Sequence, residues 1–546
     1  MAQEDGIVKK AVLLVLATAF LFAVLVLPNH PGTMRWSALN RFPLELPVLV
    51  FGLIAIGRKW GVPAVLAVIL VTTVVIKLAD YGMFIAYNRT FNPILDTFLI
   101  KAGIGLLSDS IGKPAAYVGV LAACIAILLL FFGLLQSFRV WARTSVPTFA
   151  RTGAAIVAVF FASIAVADVG HHLKYWKFDS SPPGTAWTSR LTFKRIVEMQ
   201  DTTADLIAFS AQAKTDPYRH ATGLFDQIGS RDVILIYIES YGRTSFENPL
   251  YMDAHLNTLT QVEGPIRDAG FAIRSGWMTS PTEGGQSWLA HGTLATGLWT
   301  SDHGRYNAMI ASGHKWLFHF AAEAGYRTAA VMPAITVGWP ESSAMGFELI
   351  YPAADIPYEG ERFNWVTVPD QFTLNVYDEL LGEDPRNDFI QIALISSHAP
   401  WVPVPEMLPW DGMGDGAVFN QWATNGPSPR ELWKDYDKVR EQYRLAVDYS
   451  LQATFEHVAQ LGDDAPLIIV VGDHQPAGFV SQIDSLDVPV HMIGPPEVIN
   501  NIDAWNWTDG LIPAADAPVW RMDAFRDQFI KAFTSANIIA EVRGDG

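Results

Sequence analysis

The sequence predicts a two-part protein: about five N-terminal transmembrane helices followed by a globular α/β sandwich. Three observations predict it. Apolar runs approaching the roughly 20 residues needed to cross a bilayer crowd the first 170 positions. Half of the 546 residues are hydrophobic and only 17% are charged, an excess that those runs carry. From Arg231 onward, short β-rich runs bounded by turn residues alternate with helical stretches, as expected for strands covered by helices on both faces. The expected organisation is a membrane part at 1–170, a connecting arm at 171–230 and a globular domain at 231–546.

Five stretches are candidate spans: 8–27, 43–57, 62–84, 115–137 and 152–169, of which the second and fifth are short. The apolar piece from Asn92 to Leu107 carries Asp96 and Lys101, and is expected to lie along the interface rather than cross. Basic residues in short loops set direction. With the N-terminus inside, Lys9, Lys10, Arg58, Lys59, Arg139, Arg143 and Arg151 make seven cytoplasmic charges, against five outside at Arg35, Arg41, Arg89, Lys101 and Lys113. Everything after about residue 170 is then expected outside the cytoplasm, on a multi-pass anchor in the plasma or inner membrane. The first run is long and no small-residue cleavage site follows it before Pro28, which argues against a cleaved signal peptide. The arm at 171–230, with a Pro-Pro-Gly turn and an amphipathic stretch from Leu191 to Ala213, is expected to pack on the globular domain.

A net charge of -17 argues against nucleic-acid binding, which needs clustered Lys and Arg. Cys124 is the one cysteine and sits in an apolar run. Intrachain disulfides, Cys-rich zinc sites and iron–sulfur clusters are thereby excluded.

In the globular part, the runs at 232–240, 326–332, 388–396, 466–473 and 488–494 predict parallel strands. Sites in such sheets form at the carboxyl ends of the strands. Glu239 ends the first run, His398 follows the third, and Asp473 and His474 end the fourth. Glu239 alone is equally a helix cap. The adjacent Asp473 and His474 are more specific, presenting oxygen and nitrogen donors to one point. Two such ends plus a hydroxyl form a mixed site suited to Mn, Zn or Mg. The hydroxyl is expected from the segment 270–297, where Gly284 and Gly285 precede Ser287 and a helix-compatible stretch. A hydroxyl at a helix N-terminus meets backbone N–H groups that favour phosphate anions. Ser287 is alternatively only the N-cap, and His291, one turn on, only a core or surface residue.

ILIYIES (234–240), GGQSWLAH (284–291), ISSHAPW (395–401), VVGDHQP (470–476) and VPVHMIG (488–494) occur in an order and spacing that resemble the alkaline-phosphatase-like superfamily. The resemblance is strongest to membrane-anchored phosphotransferases such as lipoteichoic acid synthases and phosphoethanolamine transferases. It implies an alkaline-phosphatase-like sandwich in which Glu239, Asp473 and His474 hold one divalent metal, typically Mn or Zn, with Ser287 as the metal-bound nucleophile. It further implies that His398 contacts the substrate phosphate or assists the leaving group, and that Trp339 in GWPESSAMGF belongs to the substrate pocket. The family generally uses Thr as nucleophile, so Thr282 is an alternative to Ser287. His303 and His291 are further candidates for the pocket lining. His314 and His319 read as ordinary helix or core histidines, and His171 and His172 as interfacial ones. Trp401, Trp410, Trp422 and Trp433 either dock a glycan or lipid headgroup or pack at an interface.

The expected reaction moves a phosphorylated headgroup, phosphoglycerol-like, from a membrane phospholipid to a hydroxyl of an envelope glycan or lipid, with the active-site mouth toward the membrane. Alternatives are a membrane-anchored phosphodiesterase or phosphatase, a sulfatase-like hydrolase, and a non-catalytic binding module. Formylglycine sulfatases need Cys or Ser followed by x-Pro-x-Arg, absent from the globular part. The Cys-rich phosphoethanolamine transferases need disulfides that one cysteine does not form.

Overall fold

The computed structural model describes residues 2–35, 42–57, 61–87, 89–178, 184–462 and 465–536. Arg41, Arg58, Lys59, Pro182 and Pro183, which entered the orientation and arm arguments, lie outside the described residues. The chain divides into two compact units, Met1–Asp205 and Leu206–Gly546.

The first unit contains helices α1 (Ala2–Val26), α2 (Glu45–Ile56), α3 (Val62–Tyr87), α4 (Thr97–Ile111), α5 (Lys113–Ala142) and α6 (Thr148–His172), and the start of α7 (Trp187–Gln212). Among the described residues, four stretches are long and apolar enough to cross a membrane: Val8–Val26, Val62–Ile85, Lys113–Ala142 and Thr148–His172. The protein is membrane-anchored. The stretch expected as a second span is the 12-residue α2, about 18 Å at 1.5 Å per residue against a hydrocarbon core of about 30 Å. Gly57, at φ 70°, ends it. The last span is longer than expected, because the helix starts directly after Pro147 and runs through to His172. In the 92–107 stretch, α4 begins only at Thr97. Asp96 is buried before it, accepting hydrogen bonds from Arg89 Nη1 and Nη2 and from the Asn92 amide, each at 2.7 Å.

Between membrane helices, side-chain packing and polar contacts replace the hydrophobic drive. Leu21, Leu46, Leu53, Leu70, Leu134 and Phe138 fill the interior. Asp80 on α3 is fully buried and accepts from Arg195 Nη2 at 2.8 and 2.9 Å, from Asn29 Nδ2 at 2.8 Å and from the Phe91 amide at 2.9 Å. Lys77, equally buried, donates to Leu25 O at 3.1 Å and Thr188 Oγ1 at 2.9 Å, satisfying a carbonyl at the end of α1 that has no intrahelical partner. Asp168 pairs with Arg190.

The second unit is built on a nine-stranded sheet. Its strands are β1 (Val233–Ile238), β2 (Ala272–Thr279), β3 (Arg327–Met332), β4 (Leu349–Pro352), β5 (Asp388–Ala393), β6 (Leu467–Gly472), β7 (Asp487–Gly494), β8 (Thr508–Asp509) and β9 (Val519–Arg521). Their order is β4-β3-β5-β1-β6-β7-β2-β8, with β9 on β2. The five strands from β4 to β6 are parallel, and β1 lies between β5 and β6, Ile238 opposite Gly472. In β1, Val233, Leu235 and Tyr237 enter one core while Ile234, Ile236 and Ile238 enter the other, so both faces are covered, as the continuous apolar run implies. Helices α8 (Met252–Asp268), α10 (Asp370–Leu381) and α11 (Tyr436–Gln460) cover the face of Ile234, and α9 (Ser287–Thr296) the face of Val233.

One expected strand runs the other way. VPVHMIG forms β7, antiparallel to β6. Parallel return needs a crossover, usually a full helix, whereas the chain between β6 and β7 holds only the one-turn helix Gly478–Ser481. The resulting sheet is mixed, with a parallel centre.

Candidate metal-binding active site

Because β5, β1 and β6 are neighbours, the segments after their carboxyl ends converge. Glu239 lies on the Val233 face by alternation, two residues beyond Tyr237. Ser240 takes a left-handed φ of 57°, uncommon for a residue other than glycine, and its amide donates to Asp473 Oδ1 at 2.8 Å. The His474 amide donates to the same oxygen at 2.6 Å. Gly472 is required here: a Cβ would lie 1.7 Å from Tyr241 O, too close for any side chain. Ser397 Oγ donates to Glu239 O at 2.6 Å, tying the β5 end to the β1 end.

Glu239, Asp473 and His474 are buried and each offers one ligand atom within 4.8 Å of the others. Ser287, the first residue of α9, follows Gln286 at φ 66°. Its Oγ donates to Glu239 Oε2 at 2.8 Å and lies 3.3 Å from His474 Nε2. Thr282 turns away from the cluster: its Oγ1 donates to Gly285 O at 2.7 Å within the loop.

The donors suit one divalent cation. His474 Nδ1 lies 2.8 Å from Gln475 O, and a carbonyl only accepts, so Nδ1 carries a proton and Nε2 faces the carboxylates. Nε2 lies 3.1 Å from Glu239 Oε1 and 3.8 Å from Asp473 Oδ2. Burial pushes the Glu239 carboxyl up, but the imidazolium of His474, and then His398, outweigh it and hold the carboxyl well below its usual range. Asp473 moves the opposite way, driven up by burial and then by the charge of Glu239. His474 is pushed up to about 9, the two carboxylates overcoming burial. One imidazolium thus serves two carboxylates, and a divalent cation satisfies both.

Residues 231–486 match the Sulfatase family model. The match falls within the globular unit, whose mixed sheet is alkaline-phosphatase-like. Similar solved structures include the lipoteichoic acid synthase LtaP from Listeria monocytogenes, 14% identical over 60% of this chain and 78% of that one, with TM-score 0.35. The phosphoglycerol transferase GacH from Streptococcus pyogenes is 14% identical over 63% and 86%, with TM-score 0.35. The periplasmic domain of the phosphoethanolamine transferase EptC from Campylobacter jejuni is 11% identical over 56% and 91%, with TM-score 0.36. No curated protein matches the chain.

In the sulfatase-like domain, the remaining candidates scatter. His398 is half-buried, with Nδ1 bonded to Ala399 O, and close enough to Glu239 to lower its carboxyl. His291 is buried, its ring stacked on Tyr237 at 3.8 Å, and burial pushes its pKa down to about 3. It sits behind the cluster as a neutral core residue and not on an open pocket wall, because the inward face of α9 carries it under β1. His303, the first residue of the helix His303–Ser312, stacks on Tyr306 and feels Glu341. Trp339 precedes that glutamate and leans on Phe347. These two share a neighbourhood; no described contact joins them to Glu239, Asp473 or His474. His314 is a core residue, bonded to Ala213 O at 2.9 Å. Trp401 is buried and stacked on Trp433, with its Nε1 donating to Ser397 O at 2.7 Å.

Sequence reasoning missed the supports. Asp370 is fully buried and accepts from the Ile395 and Ser396 amides at 2.8 Å each and from Ser450 Oγ at 2.6 Å, holding the backbone that leads to His398. Ser280 Oγ donates to Asp473 O at 2.6 Å. A Pro-Asp pair opening α10 is a signal for Asp370. For Ser280, Ser240 and Ser397 no local signal exists, since their partners come from other strands.

Proposed function

We propose that the domain transfers a phosphorylated headgroup, phosphoglycerol-like, from a membrane phospholipid to a hydroxyl of an envelope glycan or lipid, through a phospho-Ser287 intermediate. The observation that carries this is the Ser287 hydroxyl at a helix N-terminus, 2.8 Å from Glu239 Oε2 and 3.3 Å from His474 Nε2. Glu239, Asp473 and His474 would hold one divalent metal, Mn or Zn, which when bound neutralises charge on the phosphoryl oxygens and sharpens the serine as a nucleophile. The Ser287 proton is directed at an ionised carboxylate, so its departure has an acceptor in place. Oγ attacks phosphorus and the bond to the diacylglycerol oxygen breaks. The amides opening α9 face the anion. His398 carries its ring proton on Nδ1 toward Ala399 O; protonated at Nε2 as well, it supplies the proton the leaving alcohol needs. An acceptor hydroxyl then attacks phosphorus and gives its proton to His398 Nε2, while the bond from phosphorus to Ser287 Oγ breaks and Oγ takes back the proton it had given to Glu239, which restores the enzyme.

The family's chemistry and the donor set support this reading, as do the transferase activities named for LtaP, GacH and EptC. Full-length protein incubated with phospholipid and no acceptor is expected to show a mass adduct on the peptide containing Ser287, with diacylglycerol released. Both are expected to vanish in Ser287→Ala and persist in Thr282→Ala; the reverse pattern would reassign the nucleophile. The domain is proposed to lie outside the cytoplasm. With four long spans and the N-terminus inside, this requires α2 to carry the chain across despite its length. A C-terminal reporter active only in the cytoplasm should be silent, and activity there would refute the orientation.

A further inference from the structure

A cavity of about 450 Å³ lies within the first unit, inside the size range of small-molecule sites. Its wall is largely apolar and includes Leu49, Leu70, Ala162, Val166, Phe193 and Ile196. Val166, Phe193 and Ile196, with Ile69, are also exposed. They surround the opening with aliphatic and aromatic surface, on helices that belong to a membrane anchor. An opening of that kind admits hydrocarbon, not a polar solute.

One polar group in the wall is unfinished. Glu45, the first residue of α2, is 8% exposed. Its Oε1 accepts from the Ser189 amide at 2.8 Å, while Oε2 is shielded from water and has no hydrogen-bond partner. The threonines around it have committed their protons: Thr73 to Ile69 O at 2.9 Å, Thr188 to Leu25 O at 2.8 Å and Thr192 to Thr188 O at 2.8 Å. Ser189, through its amide and its side chain, and Lys77, through its charge, already act on Glu45, yet none of them stands within hydrogen-bond distance of Oε2. A partner that enters through an apolar opening is uncharged, and the uncharged donor of a hydrocarbon-bearing molecule is a hydroxyl.

We propose that this cavity binds one aliphatic chain of a neutral membrane lipid whose hydroxyl donates to Glu45 Oε2, the chemistry shared by a diacylglycerol and a long-chain alcohol. The site goes beyond phosphoryl transfer at Ser287 and does not rest on it.

The test uses the full-length protein in dioleoylphosphatidylcholine nanodiscs with a diacylglycerol carrying a diazirine on one chain. After irradiation, labelling is mapped by mass spectrometry. Labels are expected to concentrate in peptides containing Leu66 to Thr73 and Thr188 to Ile196, and to fall when unlabelled diacylglycerol is added. The same lipid with its hydroxyl acetylated is expected to label about tenfold less, the effect of leaving one buried acceptor unpaired. A diazirine-bearing hexadecanol run in parallel shows whether the alcohol or the diacylglycerol is the better source. Ala162→Trp fills the cavity and is expected to abolish the local labelling. Labelling spread evenly over the exposed faces of α3, α5 and α6, or unchanged by Ala162→Trp, would overturn the site. Equal labelling by the acetylated lipid would overturn the role of Glu45. The competition and acetylation arms need no variant, so the proposal stays exposed to failure even if a substitution prevents folding.

Discussion

The two units of the chain differ in what they leave unfinished among their buried charges. In the membrane unit, Asp80 meets Arg195, Asp168 meets Arg190 and Asp96 meets Arg89, so each of these buried carboxylates has its own guanidinium, and Glu45 at the cavity stands apart from them. In the globular unit most buried charges follow the same rule, as Arg327 with Asp388 and Arg526 with Asp216 show. Asp370 is held by amides and a serine hydroxyl instead, and the cluster at the strand ends differs from both, since Glu239 and Asp473 share the single imidazole of His474 and enclose a serine hydroxyl. A bidentate pair is finished within the fold and serves architecture. Two carboxylates that share one titratable cation could hold a metal ion, and the hydroxyl beside them is the nucleophile proposed above. The difference lies in geometry, since both regions draw on the same residue types.

Four outcomes would sharpen or break this contrast. The largest concerns Ser287. Removing a nucleophile that acts as one unit with its partners is expected to lower lipid-dependent diacylglycerol release by about 10³-fold or more, with the melting temperature and metal content unchanged. A variant that loses activity only because it unfolds would remove the contrast. Next comes Arg195→Ala. It strands Asp80 among apolar helices and is expected to cost about 3–5 kcal/mol of stability, read as unfolding of the full chain in detergent. Metal content of the folded fraction should not change. If Arg195→Ala instead empties the metal site, the buried pairs are not merely architectural.

Third, Asp473→Ala and Glu239→Ala are each expected to weaken metal binding by at least about 10–100-fold, checked by metal analysis after dialysis. Full occupancy in both variants would show that the cluster is not the metal site. The smallest effect is a pH slope. His491 is fully buried in β7, bonded to Ser275 Oγ at 2.7 Å, and burial pushes its pKa down to about 3 from 6.5. The unfolded chain takes up this proton near pH 6.5 and the folded chain does not, so the stabilisation is whole above about pH 6.5 and is lost as pH falls toward 3. The slope is about 1.4 kcal/mol per pH unit for one such histidine. His491→Asn should flatten the acid limb of a melting curve measured between pH 6.5 and 4. An unchanged limb would mean that His491 titrates normally.

The strands were legible because apolar runs end sharply at turn residues: DVILIYIES, DFIQIALIS and PLIIVVGD became β1, β5 and β6. The direction of β7 was not, since a run of apolar residues looks the same in either direction and only the missing crossover helix decides it. The span at 43–57 was misjudged in length for a related reason. Hydropathy counts apolar residues, whereas the helix itself stops at the left-handed Gly57 and starts only at Glu45. Sequence left Ser287 and Thr282 as rivals; Thr282 bonds to its own loop and Ser287 to another strand's carboxylate.

By itself, the sequence determined what depends on neighbours in the chain: the apolar helices, the alternation of β1 between two cores, and the residue types able to hold a divalent ion. Tertiary structure alone decided that β5, β1 and β6 stand side by side. That adjacency gathers side chains from positions 239, 287, 398 and 473 into one neighbourhood. The physical reason is range. Helix and strand propensities act over a few residues, while strand order is set by which apolar faces bury one another across hundreds.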